Sequence, residues 1–569
     1  MVQDDLIRAL SAAAEAAAAE LGADPAGLPA PELLRPRQKD HGDWSTNLAL
    51  ALAPRLNRPP HDVAEAIARK LETGSLIEGV EVAGPGFINL FLGSGWLHAT
   101  LREVLERGPE YGRTDVLSGI RAQVEFVSAN PTGPLHVGHA RNAALGDAIA
   151  NLLEAAGAKV EREYYYNDAG RQMELFAQSV EARYLESLGR PDVFPDEGYH
   201  GEYIRDIAAA IVDRYGESLA DLVPEERILA VRDEAVAEVF RWNRATLERF
   251  AVRFDTWFLQ SGLEESGAVD DAVRRLREAG HAYDADGAVW FRSTNFGDDK
   301  DRVLIRSNGT PTYFAADCAY VVDKFGRGFE RLIYVWGADH HGDVVRVKGA
   351  AEALGYDPDA VEIVIYQFVS FTRGGEPVQM SKRTGAMISL AELLDEVGPD
   401  AARYTLLMRS NDAAIEFDIE EVKRQSLENP VYCVQYAHAR IASLVRVAEE
   451  KGTTLIPWRD ADLSRLTHES ELALLRKLAE LPAVVEAAAQ GRVPHRLARY
   501  TEDTAAAFHR FYTDCRIIGD DPALTQARLW LSAGTKQVVG TALAVLGVSA
   551  PESMERIGDT DAEGSPDRG

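Results

Sequence analysis

The stretch VEFVSANPTGPLHVGH, residues 124–139, decides how this chain is organised. It begins as an apolar strand-like run, continues through a turn rich in proline and glycine, and ends directly before a helix-like segment, residues 140–156. His136 and His139 lie where that helix would begin, with Gly138 between them. A helix N-terminus carries unpaired N–H groups and a partial positive charge, and glycine lets a flat ring lie close to the backbone. The stretch therefore predicts a nucleotide site.

Two histidines beside a helix start also occur simply as a capping pair, so the motif needs a second signal. That signal is QMSKR, residues 379–383, which has glycines on both sides and is predicted to form a mobile loop. Lys382 and Arg383 place two cations on it, and mobile cations suit a pyrophosphate whose charge grows as a phosphoryl bond breaks. On its own this loop could equally be ordinary basic surface.

Together, HVGH and MSK resemble the two signature motifs of class I aminoacyl-tRNA synthetases, HIGH and KMSKS. The rest of the chain resembles the bacterial type of arginyl-tRNA synthetase. The segments that carry this second likeness, besides residues 124–139, are YNDAG at 166–170, YVWGADHHG at 334–342, DAARY at 400–404, NPVYCVQYAHAR at 429–440, and residues 546–552. One departure concerns the loop motif, which normally opens with lysine and here has Gln379, while Arg383 replaces the usual final serine.

The resemblance implies a set of ATP-binding and catalytic residues. It places His136 on the ATP phosphates and His139 between ATP and the amino acid, with Lys382 and Arg383 completing the catalytic group. The implied ATP site consists of Pro134, His136, Gly138, His139, Met380, Ser381 and Lys382. Mg²⁺ is expected to arrive with the nucleotide, and no zinc is expected, since residues 339–343 (DHHGD) lack a third ligand at a suitable spacing.

A second group of residues is predicted to bind arginine. Tyr313 and Asp317 are four apart, which on a helix puts them on one face, and a carboxylate beside a phenol suits a planar guanidinium. Taken without context, Asp317 could instead cap a helix and Tyr313 could lie in the core. The resemblance assigns both to the arginine side chain, Ser128, Asn130 and His139 to its α-amino and carboxylate ends, and Glu125 to a further pocket acid. His340 falls where some relatives carry glutamine.

Composition is that of an ordinary soluble protein, and the length predicts several domains: 569 residues, 46% hydrophobic and 27% charged. The chain has neither a run of eighteen apolar residues nor a basic secretory leader, and its three cysteines are far apart, so a cytoplasmic protein without a membrane span is expected. The formal net charge of −29 is unexpected for a tRNA-binding protein. Local basic strips at 423–424, 440–446 and 492–499 could bind phosphate or be solvated helix faces.

The predicted fold is a multidomain α/β architecture. Residues 1–115 form a small α/β N-terminal domain, which the resemblance places on the tRNA elbow. Residues 116–425 form a Rossmann-like parallel-sheet catalytic domain with a mostly helical insertion at about 172–290. Residues 426–556 form an all-α anticodon-binding bundle, and 557–569 a disordered acidic tail. Candidate tRNA contacts are Arg440, Arg496 and Asn47, the last of which could instead cap the helix at 48–56.

These observations predict ATP-dependent attachment of L-arginine to tRNA(Arg) through an arginyl-adenylate, with release of AMP and pyrophosphate, by a monomer. One alternative is another nucleotidyltransferase with an HxGH motif, although such enzymes are usually shorter and lack the helical last third. The other is a catalytically inactive synthetase paralogue that binds tRNA. That reading predicts damaged signature residues, whereas His136, His139, Lys382 and Asp317 are all present.

Overall fold

The computed structural model describes residues 2–34, 36, 41–74, 76–190, 192–378, 388–426, 428–450 and 452–554. The chain divides into two compact units. The first unit consists of Met1–Pro109, Ile441–Glu480 and Ala506–Val538, and the second of Glu110–Arg440, Leu481–Ala505 and Val539–Gly569.

The N-terminal part of the first unit is a four-stranded antiparallel sheet with helices, in the order β1-β2-β4-β3. Its elements are α1 (Val2–Glu20), β1 (Leu33–Leu34), β2 (Trp44–Thr46), α2 (Leu48–Leu56), α3 (Pro60–Lys70), β3 (Ile77–Ala83), β4 (Phe87–Leu92) and α4 (Gly95–Arg107). Strands β3 and β4 form a hairpin around residues 84–86, where both glycines have positive φ, 55° at Gly84 and 142° at Gly86. The expected small α/β fold is therefore present.

The second unit is built on a five-stranded, all-parallel sheet in the order β12-β11-β5-β6-β7. Its strands are β5 (Arg121–Glu125), β6 (Lys159–Tyr166), β7 (Thr256–Leu259), β11 (Arg331–Gly337) and β12 (Val361–Tyr366). Helix α5 (Ala140–Ala155) connects β5 to β6, as the sequence predicted. Since β5 is the central strand, the residues that follow it lie at the middle of the sheet edge where open parallel sheets bind ligands.

The predicted insertion at about 172–290 is wrong as a single block. It begins with helices α6 (Arg171–Ser187), α7 (Tyr203–Tyr215) and α8 (Pro224–Arg249), but β7 then joins the main sheet beside β6. Helices α9 (Gln260–Glu265) and α10 (Ala268–Glu278) precede a three-stranded antiparallel sheet of β8 (Ala282–Ala285), β9 (Ala288–Phe291) and β10 (Arg302–Ile305). Four residues of β7 are too short a run for its alternation to be recognised.

The remaining elements before the C-terminal helices lie in the second unit. They are α11 (Tyr313–Gly326), α12 (Val344–Ala353), β13 (Val369–Arg373), β14 (Glu376–Pro377), α13 (Leu390–Val397), α14 (Pro399–Leu407), β15 (Ile415–Asp418) and α15 (Ile419–Val422). The four predicted C-terminal helices are confirmed as α16 (Pro430–Glu450), α17 (Glu469–Gly491), α18 (His495–Asp514) and α19 (Pro522–Leu546).

Helix α19 is, among the described residues, the one helix long and apolar enough to cross a membrane. Buried helices of folded domains satisfy the same test, and 56% of its most apolar window is buried inside the protein. Its apolar character is thus accounted for largely by packing within the protein.

Arg403 of α14 holds the middle of α5. Its guanidinium is 1% exposed, forms an ion pair with Asp147 of α5, and donates to the carbonyls of Leu546 at 2.6 Å and Phe250 at 3.0 Å. Gly547 has a φ of 70°, and a Cβ there would lie 2.4 Å from this guanidinium, so only glycine fits. The helix that begins at the twin histidines is therefore held by a buried ion pair within the second unit.

Candidate active site

A large cleft of about 2230 Å³ opens at the carboxyl ends of β5 and β11. The described residues that the sequence predicted for ATP and arginine all line it: Glu125, Ser128, Asn130, Pro134, His136, Gly138, His139, Tyr313, Asp317 and His340. The remaining predicted ATP and catalytic residues, Met380, Ser381, Lys382 and Arg383, lie outside the described residues. The cleft thus brings together side chains that are more than two hundred positions apart in the sequence.

His136 and His139 are both capping groups and cleft residues. The His136 Nδ1 accepts from the Gly138 N–H at 3.1 Å, and the His139 Nδ1 accepts from the His136 N–H at 3.2 Å. The two ring centroids are 3.8 Å apart. A Cβ on Gly138 would lie 2.8 Å from the His136 ring, so the absence of a side chain at Gly138 makes room for that ring. Because both Nδ1 atoms accept, each neutral ring carries its proton on Nε2.

The loop after β5 has a strained start that Asn142 holds in place. Val127 and Ser128 have φ values of 65° and 41°, in the left-handed region that side chains rarely adopt. The Asn142 Oδ1 accepts from the Val127 N–H at 2.6 Å, and its Nδ2 donates to the Val335 carbonyl on β11 at 2.9 Å. Sequence reasoning missed this residue. The available signal was an amide among the mostly apolar residues of α5.

The far end of the same loop is held by the helices that follow β6. The buried Asn243 of α8 accepts from the Leu135 N–H at 3.0 Å, directly before the histidines. The Tyr203 hydroxyl of α7 donates to the Thr132 carbonyl at 3.1 Å. Both residues were missed, because nothing local to α7 or α8 indicates which backbone they contact. The loop between β5 and the histidines is therefore anchored at both ends by buried side-chain hydrogen bonds.

Tyr313 and Asp317 lie one turn apart at the start of α11, as predicted. Tyr313 is 53% exposed and lines the cleft, so the alternative that it belongs to the core is wrong. The Thr312 hydroxyl caps this helix by accepting from the Ala315 N–H at 3.3 Å, so Asp317 is not the cap. Burial, and to a lesser degree Glu125 and Asp343, raise the pKa of Asp317 to about 7, against the opposing effect of Lys324 and His340.

The other predicted arginine contacts surround this pair. The Asn130 amide donates to Gln172 at 2.6 Å, and the Ser128 hydroxyl donates to Glu125 at 3.1 Å. His340 is exposed, with its Nδ1 3.2 Å from the Asp343 carboxylate. Within the described ranges, no group of three histidine, cysteine or acidic side chains could hold a metal ion.

The predicted tRNA contacts do not line the cleft. Asn47 is at the N-cap position of α2, yet its side chain makes no capping hydrogen bond, and the Leu48 N–H is bonded instead to the Thr46 hydroxyl at 3.2 Å. Arg496 is exposed on α18, and the Arg440 guanidinium lies 5.8 Å from the centre of the Tyr436 ring. Arg492, in the same basic strip as Arg496, is paired with Glu362 at 3.0 Å and is only 12% exposed.

Three family models together match most of the chain. The arginyl-tRNA synthetase N-terminal domain matches residues 3–92, the class I tRNA synthetase (R) catalytic domain residues 114–443, and the DALR anticodon-binding domain residues 434–554. The chain belongs to the arginyl-tRNA synthetase family. It is accordingly a class I arginine–tRNA ligase, and the comparisons give no support to the two alternatives.

Relatives of this synthetase agree over nearly their whole length. It is 50% identical over 523 residues to the arginine–tRNA ligase of Carboxydothermus hydrogenoformans, covering 92% of this chain and 94% of that one. It is 50% identical over 550 residues to that of Desulforudis audaxviator, covering 96% and 98%. The structure of the Thermus thermophilus arginyl-tRNA synthetase superposes with a TM-score of 0.72 at 27% identity, covering 96% of this chain and 100% of that one.

Proposed function

We propose that this synthetase joins the L-arginine carboxylate to the α-phosphate of ATP in the described cleft, releases pyrophosphate, and passes the arginyl group from the adenylate to tRNA(Arg) with release of AMP. The observation that carries the proposal is one cleft lined both by the twin imidazoles at the start of α5 and by the Tyr313 and Asp317 pair of α11. No covalent enzyme intermediate is needed, since position and charge stabilisation suffice for this displacement.

The nucleotide is proposed to bind against the start of α5. His136 and His139 contact phosphate oxygens in this proposal, and Pro134 and Gly138 lie beside them in the lining of the cleft. From the sequence, Met380 and Ser381 contact the nucleotide, while Lys382 and Arg383 stabilise the departing pyrophosphate. Both loop cations lie outside the described residues.

Mg²⁺ would come with the nucleotide and would supply charge neutralisation of the phosphates. Nearby carboxylates include Asp339 and Asp343. Asp343 is already in contact with Arg346 and His340. The ion would therefore depend on phosphate oxygens and water, as Mg²⁺ commonly does.

Arginine is proposed to lie with its guanidinium on Asp317 and Tyr313 and its α-carboxylate toward His139. Ser128 and Asn130 would hold the α-amino and carboxylate ends, Glu125 closes the pocket, and His340 lies at its rim. This orientation brings the reacting carboxylate to the side where the imidazoles are, because the two groups enter the cleft from α11 and from the start of α5.

We propose that the N-terminal domain binds the tRNA elbow through Asn47. The C-terminal helices bind the anticodon arm through Arg440 and Arg496. A cytoplasmic monomer is proposed for the intact enzyme. An exposed cation such as Arg496 acts by local charge even on a protein whose net charge is −29.

Amino-acid-dependent exchange of pyrophosphate into ATP tests the proposed reaction. With a panel of amino acids and with tRNA present or absent, we expect exchange with arginine alone, followed by arginylation of tRNA(Arg). Lysine has a positive charge but no planar guanidinium, so the rate of exchange with lysine should be on the order of 10³-fold lower. Exchange that followed another amino acid, or none, would contradict the proposal.

The affinity for arginine should depend on pH near neutrality. The Asp317 pKa of about 7 means that the carboxyl is ionised above this value and protonated below it. Because a guanidinium pairs with the ionised form, KM for arginine should be level above pH 7 and rise toward tenfold per pH unit below it. Arginylation rates measured across about pH 5.5 to 8.5 would check this. A KM that fell on acidification would have the wrong sign.

A further inference from the structure

A buried lysine lies behind the arginine pocket. Lys324, two turns after Asp317 on α11, has a fully buried side chain, and its ammonium is 2.5 Å from the Glu125 Oε2. The same ammonium lies 4.1 Å from the Tyr320 ring centre and 3.8 Å from that of Tyr334, so aromatic faces surround the charge where water is excluded. A charge in such a place costs much free energy unless it is paired, and Glu125 is its partner.

Glu125 connects this lysine to the cleft. Its second oxygen accepts from the Ser128 hydroxyl at 3.1 Å, and Ser128 in turn accepts from the Tyr165 N–H at 3.2 Å. Glu125 thus lines the cleft with a carboxylate that Lys324 neutralises and the Ser128 hydroxyl orients.

The neighbouring charges are separately compensated. Groups that face Lys324 come from β5, β6, β11 and from α11 with the residue that follows it, namely Glu125, Glu163, Tyr334, Tyr320, Asp317, Asp323 and Arg327. Glu163 receives two hydrogen bonds from Arg327, at 2.5 and 2.8 Å, and one from the Tyr320 hydroxyl. Asp323 is also paired with Arg327, at 2.8 Å. Within the described part of the chain, Asp317 forms no ion pair. Of the four acids, Asp317 is the one whose charge remains to be met by a ligand.

We propose that Lys324 sets the charge of the arginine pocket: by neutralising Glu125, it leaves the guanidinium end of the cleft with one uncompensated carboxylate, at Asp317, and so selects a side chain with one positive charge over a neutral isostere. This inference rests on the proposed role of Asp317. Lys324 is a positioning residue, since it acts through Glu125 and not on the substrate.

Removing the lysine charge should alter how Asp317 titrates. Glu125 raises the pKa of Asp317 and Lys324 lowers it, so Lys324→Met leaves two carboxylates facing each other with the repulsion undiminished. The two carboxyls should then share one proton at neutral pH, which lowers the negative charge that Asp317 presents to a ligand. A protonated carboxyl can donate to the ureido oxygen of citrulline, the neutral isostere of arginine, but it cannot neutralise a guanidinium.

The test compares Lys324→Met with the double variant Lys324→Met/Glu125→Gln, and uses the exposed Lys300→Met as a matched control. For Lys324→Met we expect the acidic limb of kcat/KM for arginine to move up by about one pH unit, with KM at neutral pH raised about tenfold and kcat changed less. Inhibition by citrulline relative to arginine should strengthen about tenfold. Lys300→Met should match the unaltered enzyme.

The double variant separates charge from folding. Because it removes both charges together, its acidic limb should return to that of the unaltered enzyme or below, and its preference for arginine over citrulline should recover. The inference is overturned if the acidic limb of the kcat/KM profile does not move in Lys324→Met. It is also overturned if that limb stays at the higher pH in the double variant. If Lys324→Met does not fold, a double variant whose limb stays high still overturns the inference. Failure of the proposed function is distinct, because then Asp317→Asn would leave arginine selection intact.

Discussion

Replacement of His136 or His139 by alanine is expected to lower kcat for arginine activation by about 10²–10³-fold, with KM for arginine changed less than threefold. Each ring accepts a backbone N–H through Nδ1, at 3.1 and 3.2 Å, which fixes the orientation of the ring at the start of α5. Donors aimed at developing phosphate charge stabilise the transition state more than the ground state. Pyrophosphate exchange at saturating arginine measures the effect.

His136→Asn provides the matched control for capping. Asparagine is among the best N-cap residues and can accept from the Gly138 N–H as the imidazole does, so thermal stability should remain within a few degrees. It cannot supply the Nε2 donor, so the loss of kcat should remain close to that of His136→Ala. Recovery of activity in His136→Asn would show that the ring serves the helix start alone.

The elements that sequence predicts well are those whose pattern is local. Helix α2 has the predicted bounds, because its apolar periodicity ends at Asn57, which adopts a left-handed conformation. The strand–turn–helix succession at β5 and α5 could likewise be predicted from the sequence, since proline and glycine mark where the strand pattern stops. Strand β7 was missed because it pairs with β6 across ninety intervening residues and has only four of its own.

The candidate site divides in the same way. The Tyr313 and Asp317 spacing and the twin histidines could be found, because each pair lies within one turn of helix. Lys324 could not be found, since its partner Glu125 is 199 residues away and a lysine inside an apolar helix face has no local explanation. Asn142 and Asn243 belong to the same class. A buried amide signals that a hydrogen bond must exist, but only the tertiary fold determines with which backbone.

Charge patterning shows a similar limit. The basic strip at 492–499 contains Arg492, which forms an ion pair with Glu362, and Arg496, which is exposed. Sequence cannot separate the two, because the ion pair of Arg492 joins residues 130 positions apart. Only the exposed member of such a strip remains a candidate for phosphate contact.

Asp317→Asn is expected to lower kcat/KM for arginine by about 10²–10³-fold, mainly through KM. Asparagine preserves the shape and one acceptor oxygen, so what is lost is the charge and one of the two parallel hydrogen bonds that a guanidinium makes with a carboxylate. Since the cleft is partly desolvated at Asp317, water does not compensate for the lost charge, and the acidic limb of the KM profile should vanish with the titrating group. Steady-state arginylation over the same pH range measures both effects.

Asp286→Asn is the matched control, because Asp286 is exposed in a turn at a φ of 51°, a conformation that asparagine also adopts readily. It should leave kcat/KM unaltered, which would assign the loss in Asp317→Asn to the cleft and not to the change in net charge. Discrimination gives a further criterion: arginine should lose affinity in Asp317→Asn while citrulline does not, since only arginine depends on the missing charge. If Asp317→Asn kept kcat/KM within threefold of the unaltered enzyme, the guanidinium would have to be held elsewhere, and the orientation of arginine in the cleft would need to be reversed.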